Sequence, residues 1–364
     1  MTRPVIIGGG PAGAIAALRL AQRGQAALLL ERHDAPQDVI CGEFLSAEAV
    51  AQLAALGVDV RRIAGVPIDR IEIAAGRQRM ATQLPFVAHS IRRRDLDDAL
   101  LNAASRAGAE VQRGVRVQQL NEHAIATSVG DIGASVQLLA TGKHALSGQP
   151  RRESPAGHAP MIGFKQYFRA TPPLAASLAR TVRVVLYEGG YAGVQLISPD
   201  VVNLCLVVHR ATLEAIGGNW DGVCRRLADE PMLRPVLDAE PLLPKPLAIS
   251  GVPYGFLAQP DPKDRVYRLG DQAAVIPSFC GDGMAIAIHS GVVAADAVVD
   301  GADASTYQRR LLASTRRPVQ IALQVQRIAQ HPVARMAALA GLTMLPGAVR
   351  LLARLTRMPN HPRS

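Results

Sequence analysis

Cysteine is scarce in this chain, and none of the four (Cys41, Cys205, Cys224, Cys280) belongs to a CxxC or a paired framework. That excludes a disulfide scaffold and a zinc-finger type of site, and it suits a reducing, cytoplasmic setting. No metal-ligand spacing and no Ser–His–Asp pattern stands out, so no metal is expected. No uninterrupted apolar run reaches the ~18 residues of a membrane-crossing helix. Internal repeats and low-complexity stretches are missing too. The apolar stretch after Arg3 has the look of a secretory leader. Glycines at 8, 9, 10 and 13 explain it better, and cleavage would remove the motif they form.

Acidic residues are missing from one region. From Gly301 onward Asp303 is the sole acid, against Arg309, Arg310, Arg316, Arg317, Arg327, Arg335, Arg350, Arg354, Arg357 and Arg363. This tail carries +9 of the net charge of +10, and the first 300 residues are nearly neutral. A helical cap with a solvated arginine face is the default reading. Peripheral contact with an anionic membrane surface is the second. Nucleic acid is not an expected partner, because the tail has no interleaved aromatics.

What is present begins at the N-terminus. Apolar Val5-Ile6-Ile7 runs into Gly8-Gly9-Gly10-Pro11-Ala12-Gly13, a small-residue helix follows to Arg23, and a second apolar run, 26–30, ends in Glu31 and Arg32. This is strand, glycine turn, helix, strand and acid, the pattern that binds a dinucleotide. Gly8 makes the turn, Gly10 lets a pyrophosphate approach, and Gly13 lets helix and strand pack. The helix N-terminus offers N–H groups and a positive dipole end to the phosphates. Glu31 is placed to accept from ribose hydroxyls.

An apolar fraction of 49% with 19% charged residues is that of a packed globular protein, and 364 residues suffice for two domains. Alternation at 70–84 with a turn at Gly76 predicts a hairpin, and 92–107 an amphipathic helix. Short strands are expected near 111–120, 124–128 and 135–140. Beyond Pro155 the pattern becomes four strands, at 161–169, 182–187, 191–197 and 201–208, which implies an antiparallel sheet. Another βα element follows from Val266 through Gly283 to a helix ending at Val299. The remaining residues read as helices broken at Pro318, Pro332 and Pro346. The expected fold is an α/β (α+β) composite. A Rossmann-like nucleotide domain (1–155 and 260–300) is interrupted by an antiparallel-sheet substrate domain (156–259), and a helical region (301–364) closes the chain. The 70–84 hairpin is assignable to either sheet.

Val266 to Gly283 resembles the second flavin fingerprint of the para-hydroxybenzoate hydroxylase and geranylgeranyl reductase superfamily. The resemblance implies FAD, with Gly270-Asp271 at the ribitol, Pro277 over the ring, and Gly281 and Gly283 at a helix start beside it. Arg92-Arg93-Arg94-Asp95-Leu96-Asp97 is similar to the arginine helix start of the same superfamily, which puts Arg93 at the pyrophosphate and leaves Arg92 and Arg94 facing solvent. The resemblance also implies that Val117 lies on the strand whose backbone meets the adenine. Cys41-Gly42-Glu43 is similar to the Cys-Gly-Gly segment of geranylgeranyl reductases, with Glu43 replacing the second glycine. Cys41 and Glu43 are the candidates for a catalytic role; a small buried residue is the bland alternative for Cys41 and for Cys280.

Two departures bear on the reaction. The Asp-Gly motif that many flavin hydroxylases use for FAD and NAD(P)H is here Ala140-Thr141-Gly142-Lys143-His144, so Gly142 is kept and the acid is not. NAD(P)H and a separate reductase both remain open as electron donor. The paired tryptophans of tryptophan halogenases are absent, Trp220 being the one tryptophan, so a halogenase is not expected. The superfamily implies a monooxygenase acting on a small apolar or aromatic substrate, phenolic or polyketide-like, through a flavin C4a-hydroperoxide. Reduction of carbon–carbon double bonds and quinone-linked electron transfer are the alternatives. Gly163, Lys165 and Tyr167 share one face of the first antiparallel strand, and the sequence leaves open whether that face meets the flavin. His289, two turns into the last motif helix, reads as a satisfied core histidine.

Overall fold

The computed structural model describes residues 3–149 and 161–358. The expected boundary at 155 and Arg363 lie outside the described residues. The first part of the chain forms β1 (Arg3–Ile7), α1 (Pro11–Gln22), β2 (Leu28–Leu30), β3 (Phe44–Leu45) and α2 (Ala47–Ala55). Next come β4 (Gly65–Ala75), β5 (Gln78–Ile91), α3 (Arg93–Arg106), β6 (Glu110–Gln112), β7 (Val117–Leu120), β8 (Ala124–Thr127) and β9 (Gly130–Leu139). The middle holds β10 (Met161–Arg169), α4 (Pro172–Ser177), β11 (Thr181–Tyr187), β12 (Gly190–Ser198) and β13 (Val201–His209). Three short helices follow, α5 (Arg210–Ala215), α6 (Trp220–Leu227) and α7 (Arg234–Leu237), then β14 (Leu247–Val252) and β15 (Val266–Arg268). The chain ends in α8 (Gly283–Val299), α9 (Ala304–Gln330), α10 (Pro332–Met344) and α11 (Pro346–Leu355).

Two sheets organise these elements. The first runs β6-β2-β1-β9, with β15 also on β9, and all these pairs are parallel. The start of β9 pairs antiparallel with β8, and β8 with β7, so a three-stranded meander leaves the nucleotide sheet. The run 111–120 therefore serves two sheet regions, β6 in the parallel part and β7 in the meander. Helix α1 is made of small residues because two layers press on it. A Cβ on Gly291 of α8 would lie 2.5 Å from the Ala12 carbonyl oxygen and 3.0 Å from the Ala16 nitrogen. The close approach of α1 and α8 buries Ala12, Ala16, Ile286, Ile288 and Ala295 in one core.

The second sheet has eight strands in the order β14-β10-β13-β12-β11-β4-β5-β3. The hairpin is longer than its sequence pattern, and it joins this sheet through a parallel pairing of β4 with β11. Strand alternation gives the sheet two unlike faces. Phe164, Phe168, Ala192, Val194, Leu204 and Leu206 pack under the short helices in a separate apolar core. The opposite face carries Lys165, Tyr167, Cys205, Asn203, Tyr191 and Gln195. Register puts Tyr167, Asn203 and Gln195 in one row and Lys165, Cys205 and Gly193 in the next.

Helix α9 runs through Pro318 without a break, contrary to the expectation from sequence. A proline inside a helix removes one hydrogen bond and costs about 3 kcal/mol. Pro318 is buried here together with Leu311, Val319 and Ala322, and fully burying even one leucine or valine returns about 1.5–3 kcal/mol. Packing outweighs the local penalty.

Candidate active site

The glycine turn connects β1 to α1. Gly8 has φ +106°, and a Cβ there would lie 2.5 Å from the Ala140 carbonyl oxygen. Gly13 is held more tightly still, since its Cβ would sit 1.9 Å from the Gly8 carbonyl oxygen. Gly10 is different. Its Cβ would meet only the Arg93 guanidinium, at 3.6 Å, so this glycine preserves open space in front of an arginine. Gly10 also N-caps α1 with no side chain covering the helix end, and Pro11 opens the first turn with Ala12 beside it. The Gly9 N–H donates to Glu31 Oε2 (2.7 Å) and the His33 N–H to Oε1 (2.9 Å), which locks the carboxylate at the end of β2.

Arg93 is the first residue of α3. Its guanidinium makes two parallel hydrogen bonds to Asp97, at 2.9 and 2.8 Å. Burial alone would lower its affinity for a proton, but Asp97 more than offsets this and the pKa moves up, so the charge is permanent. Arg92 corrects the expectation of a solvent-facing side chain: it lies 4.6 Å over the Tyr167 ring and 3.3 Å from Asp38. Arg94 lies on the same carboxylate and is 42% exposed. Val117 packs beside the cluster of Val5, Ile7, Leu28 and Leu30, and nearby the Val115 N–H donates to the Glu31 carbonyl.

The second fingerprint meets the first across α1. A Cβ on Gly270 (φ +57°) would touch Ala12 Cβ at 3.2 Å, so the turn carrying Asp271 abuts the start of α1. Asp271 pairs with Lys143 at 2.8 Å. The loop around Gly142 is clamped by Gln272, whose Nε2 donates to Thr141 Oγ1 and to the carbonyls of Gly142 and His144. Arg32 reaches the same loop, 3.0 Å from His144 Nε2. Pro277 leads into a short turn. Gly281 takes φ +71° against the Phe44 ring, and a Cβ on Gly283 at the start of α8 would meet nothing. Asp282 between them is buried and accepts from Ser46, from Arg357 and from the Met358 N–H. Arg357 thus leaves the solvated tail and anchors the motif. His289 is buried and meets Ser314 at 2.9 Å.

The polar face of the second sheet looks onto these motifs. Asn203 Nδ2 donates to the carbonyls of Cys41 (3.3 Å) and Gly42 (3.0 Å). Lys165 and Glu43 form an ion pair at 2.7 Å with both side chains 0% exposed. Glu43 Oε1 also accepts from Tyr167 (2.7 Å) and from the Arg93 N–H (2.8 Å). Glu43 has φ 60°, a backbone that favours glycine, which is the residue the resemblance places there. Cys41 Sγ accepts from the Glu43 N–H at 3.3 Å. Cys280 is buried, and burial pushes its thiol up to about 12.

Three hydroxyls that sequence reasoning missed converge beside Pro277. Ser278 Oγ meets the phenol of Tyr191 and, at 2.5 Å, that of Tyr254. The wall around them is apolar, with Met161, Val207, Val252 and Phe256, and Phe279 stands edge-on to Tyr191. Burial raises the pKa of both phenols, so they stay protonated and able to donate at neutral pH. Tyr191, Tyr254 and Ser278 come from three distant segments, so no spacing in the sequence announces them. A separate cavity lined by Arg70, Glu72, Arg79 and Arg183 shares no residue with these motifs.

These features fit FAD. The uncapped α1 terminus, the clearance at Gly10 in front of Arg93, the open spaces at Gly42 and Gly283 and the carboxylates Glu31 and Asp271 are the parts that such a cofactor requires.

Comparison with known proteins agrees. Residues 1–132 match the family of FAD binding domains. A probable electron transfer flavoprotein-quinone oxidoreductase of Escherichia coli is 25% identical over 365 residues, spanning 90% of this chain and 83% of that protein. Menaquinone reductase of Mycolicibacterium smegmatis is 31% identical over 123 residues, 31% of this chain and 29% of the relative. Among solved structures, the flavin-dependent brominase Bmp2 superposes with a TM-score of 0.80 at 20% identity, covering 98% of this chain and 93% of that one. PqsL, a probable FAD-dependent monooxygenase from Pseudomonas aeruginosa, gives 0.72 at 18% identity over 93% and 99%. Likeness at such identity is one of fold, and it extends over both sheets. Residues 1–132 are thus an FAD binding domain, and the chain as a whole has the fold of these flavoproteins.

Proposed function

We propose that the protein is a monooxygenase that hydroxylates a small apolar aromatic molecule carrying a phenolic oxygen. The observation that carries this reading is the Tyr191–Ser278–Tyr254 cluster in an apolar wall directly after Pro277. Neutral phenols there donate to a substrate oxygen, and the aromatic and aliphatic walls take the ring. Bound FAD supplies two-electron redox chemistry. In this reading the chain's residues hold and orient. The α1 N-terminus and Arg93 take the pyrophosphate, Glu31 the ribose, and the Val117 backbone the adenine. Arg32 and Gly142 flank the cofactor, and Asp271, steadied by Lys143, takes the ribitol. Cys41-Gly42 and Pro277 face the ring, with Gly281 and Gly283 aiming the start of α8 at it. Glu43 and Lys165 set the 41–43 segment against the second sheet.

A second reading, quinone-linked electron transfer, is favoured by the Escherichia coli relative, which aligns over nearly the whole chain. The same three hydroxyls suit a quinone carbonyl. Oxygen uptake separates the two. With a phenolic substrate and NADH, NADPH or reduced free flavin as donor, hydroxylation consumes oxygen with product and places an oxygen atom from O₂ in it. Turnover that goes to completion anaerobically would overturn the monooxygenase. Reoxidation by a quinone in place of oxygen would establish the second reading, and anaerobic saturation of an alkene would establish double-bond reduction.

A further inference from the structure

Eight large apolar side chains are strongly exposed among the described residues, and six of them lie between positions 328 and 351. They are Ile328, Val333, Met336, Met344, Leu345 and Leu351; Met344 is 84% and Val333 73% exposed. On α10, Val333, Met336, Ala337, Ala340 and Met344 are all exposed, and their spacing of three or four residues puts them on one stripe. The other side of the helix is already used. Leu339 is buried against Ala75, Met80 and Val349, and Arg335 donates to the Tyr187 carbonyl. Helix α10 therefore has two apolar sides, and the chain itself covers one.

A sharp bend of 114° separates α10 from α11 and puts Met344 and Leu345 at the corner. No single helix among the described residues is long and apolar enough to cross a membrane. Exposed Arg327, Arg350 and Arg354 flank the apolar stripe, and residues 304–364 contain no acid at all. We propose that this outer face of α10 and α11 is a docking surface for an anionic phospholipid bilayer, with the Met344–Leu345 corner entering the headgroup–acyl boundary. Apolar burial and arginine–lipid attraction act together in such surface helices. Charge decides against a second copy of the chain as occupant, since pairing this face with itself would bring arginines against arginines.

The test uses the full-length, FAD-loaded protein and flotation with vesicles. The protein floats with vesicles of mixed phosphatidylglycerol and phosphatidylcholine and stays behind with phosphatidylcholine alone. Met344→Glu with Leu345→Glu alters exposed positions, so flavin content and thermal midpoint are retained while vesicle partitioning falls at least about tenfold. Arg350→Gln and Arg354→Gln each weaken it about fivefold. Failure of the intact protein to float with anionic vesicles overturns the proposal. So does equal flotation of the Met344/Leu345 variant, or a solution dimer that this variant abolishes. None of these readouts depends on turnover.

Discussion

Glu43 and Lys165 meet at 2.7 Å with neither side chain exposed. Glu43 belongs to the loop before β3 and Lys165 to the middle of β10, so this contact joins the flavin-motif side of the molecule to the second sheet. It holds Glu43 at a left-handed φ of 60° and leaves Oε2 without a hydrogen-bond partner. A strained backbone and a buried carboxylate in one residue persist only where the surroundings over-determine them.

Lys165→Met is expected to lower stability by about 3–5 kcal/mol, because it strands a buried carboxylate. Glu43→Gly alone strands the ammonium but relieves the backbone. The double variant should regain most of the loss, since neither charge then stays behind. Urea unfolding of the four proteins measures this, and simple additivity of the single effects would refute the coupling.

This pair also marks where the sequence stopped being readable. The glycine turn, Glu31, Arg93 and the Asp271 motif are legible because each is a local pattern with a backbone job. The sharing of one face by Gly163, Lys165 and Tyr167 followed from strand alternation, but alternation does not say what a face meets. A glutamate at a glycine position was the visible signal at Glu43; its partner 122 positions away was not. Ser278, Tyr191 and Tyr254 come together from a short turn, a strand and a loop far apart in the chain, and Arg92 found a tyrosine ring that no helix pattern foretells. Pro318 misled because its local penalty is readable and the packing that overrides it is not.

The glycines of the first motif should separate by function. Gly13→Ala puts a Cβ 1.9 Å from a backbone oxygen, so it should damage folding and soluble yield. Gly10→Ala meets only the Arg93 guanidinium at 3.6 Å, so the protein should fold and bind FAD at least about tenfold more weakly, since the backbone no longer admits the pyrophosphate. Thermal midpoint and the bound-flavin absorbance ratio give the two readouts. Normal flavin content in the Gly10 variant would remove that glycine from the cofactor site.

Burial pushes the thiols of Cys205 and Cys280 up to about 12. At pH 8 about one in ten thousand of each is thiolate, so neither should react with iodoacetamide in the native protein. The unfolded chain releases these protons near pH 8.5, about the free-thiol value. It then binds fewer protons than the native state, and stability should fall as pH rises from about 8.5 toward 12. Alkylation mapped by mass spectrometry, with urea midpoints across that range, tests both statements. Labelling of Cys280 at the rate of a free thiol would contradict its placement.

Tyr191→Phe and Tyr254→Phe probe the hydroxyl cluster, each removing one donor while keeping the ring that fills the apolar wall. Loss of one hydrogen bond to a neutral oxygen is worth about 0.5–1.5 kcal/mol, or roughly two- to twelvefold in kcat/KM. If the cluster orients a phenolic oxygen, a substrate lacking that oxygen should be equally poor for the wild type and both variants, because there is nothing left for the phenols to hold. Flavin content and absorbance should be unchanged, since neither tyrosine belongs to the cofactor motifs. A purely structural role would lower the turnover of both substrates by the same factor, and that result would take the cluster out of substrate recognition. Ser278→Ala completes the argument: it leaves both phenols without their shared partner but still able to donate, so its effect should be smaller than either tyrosine change.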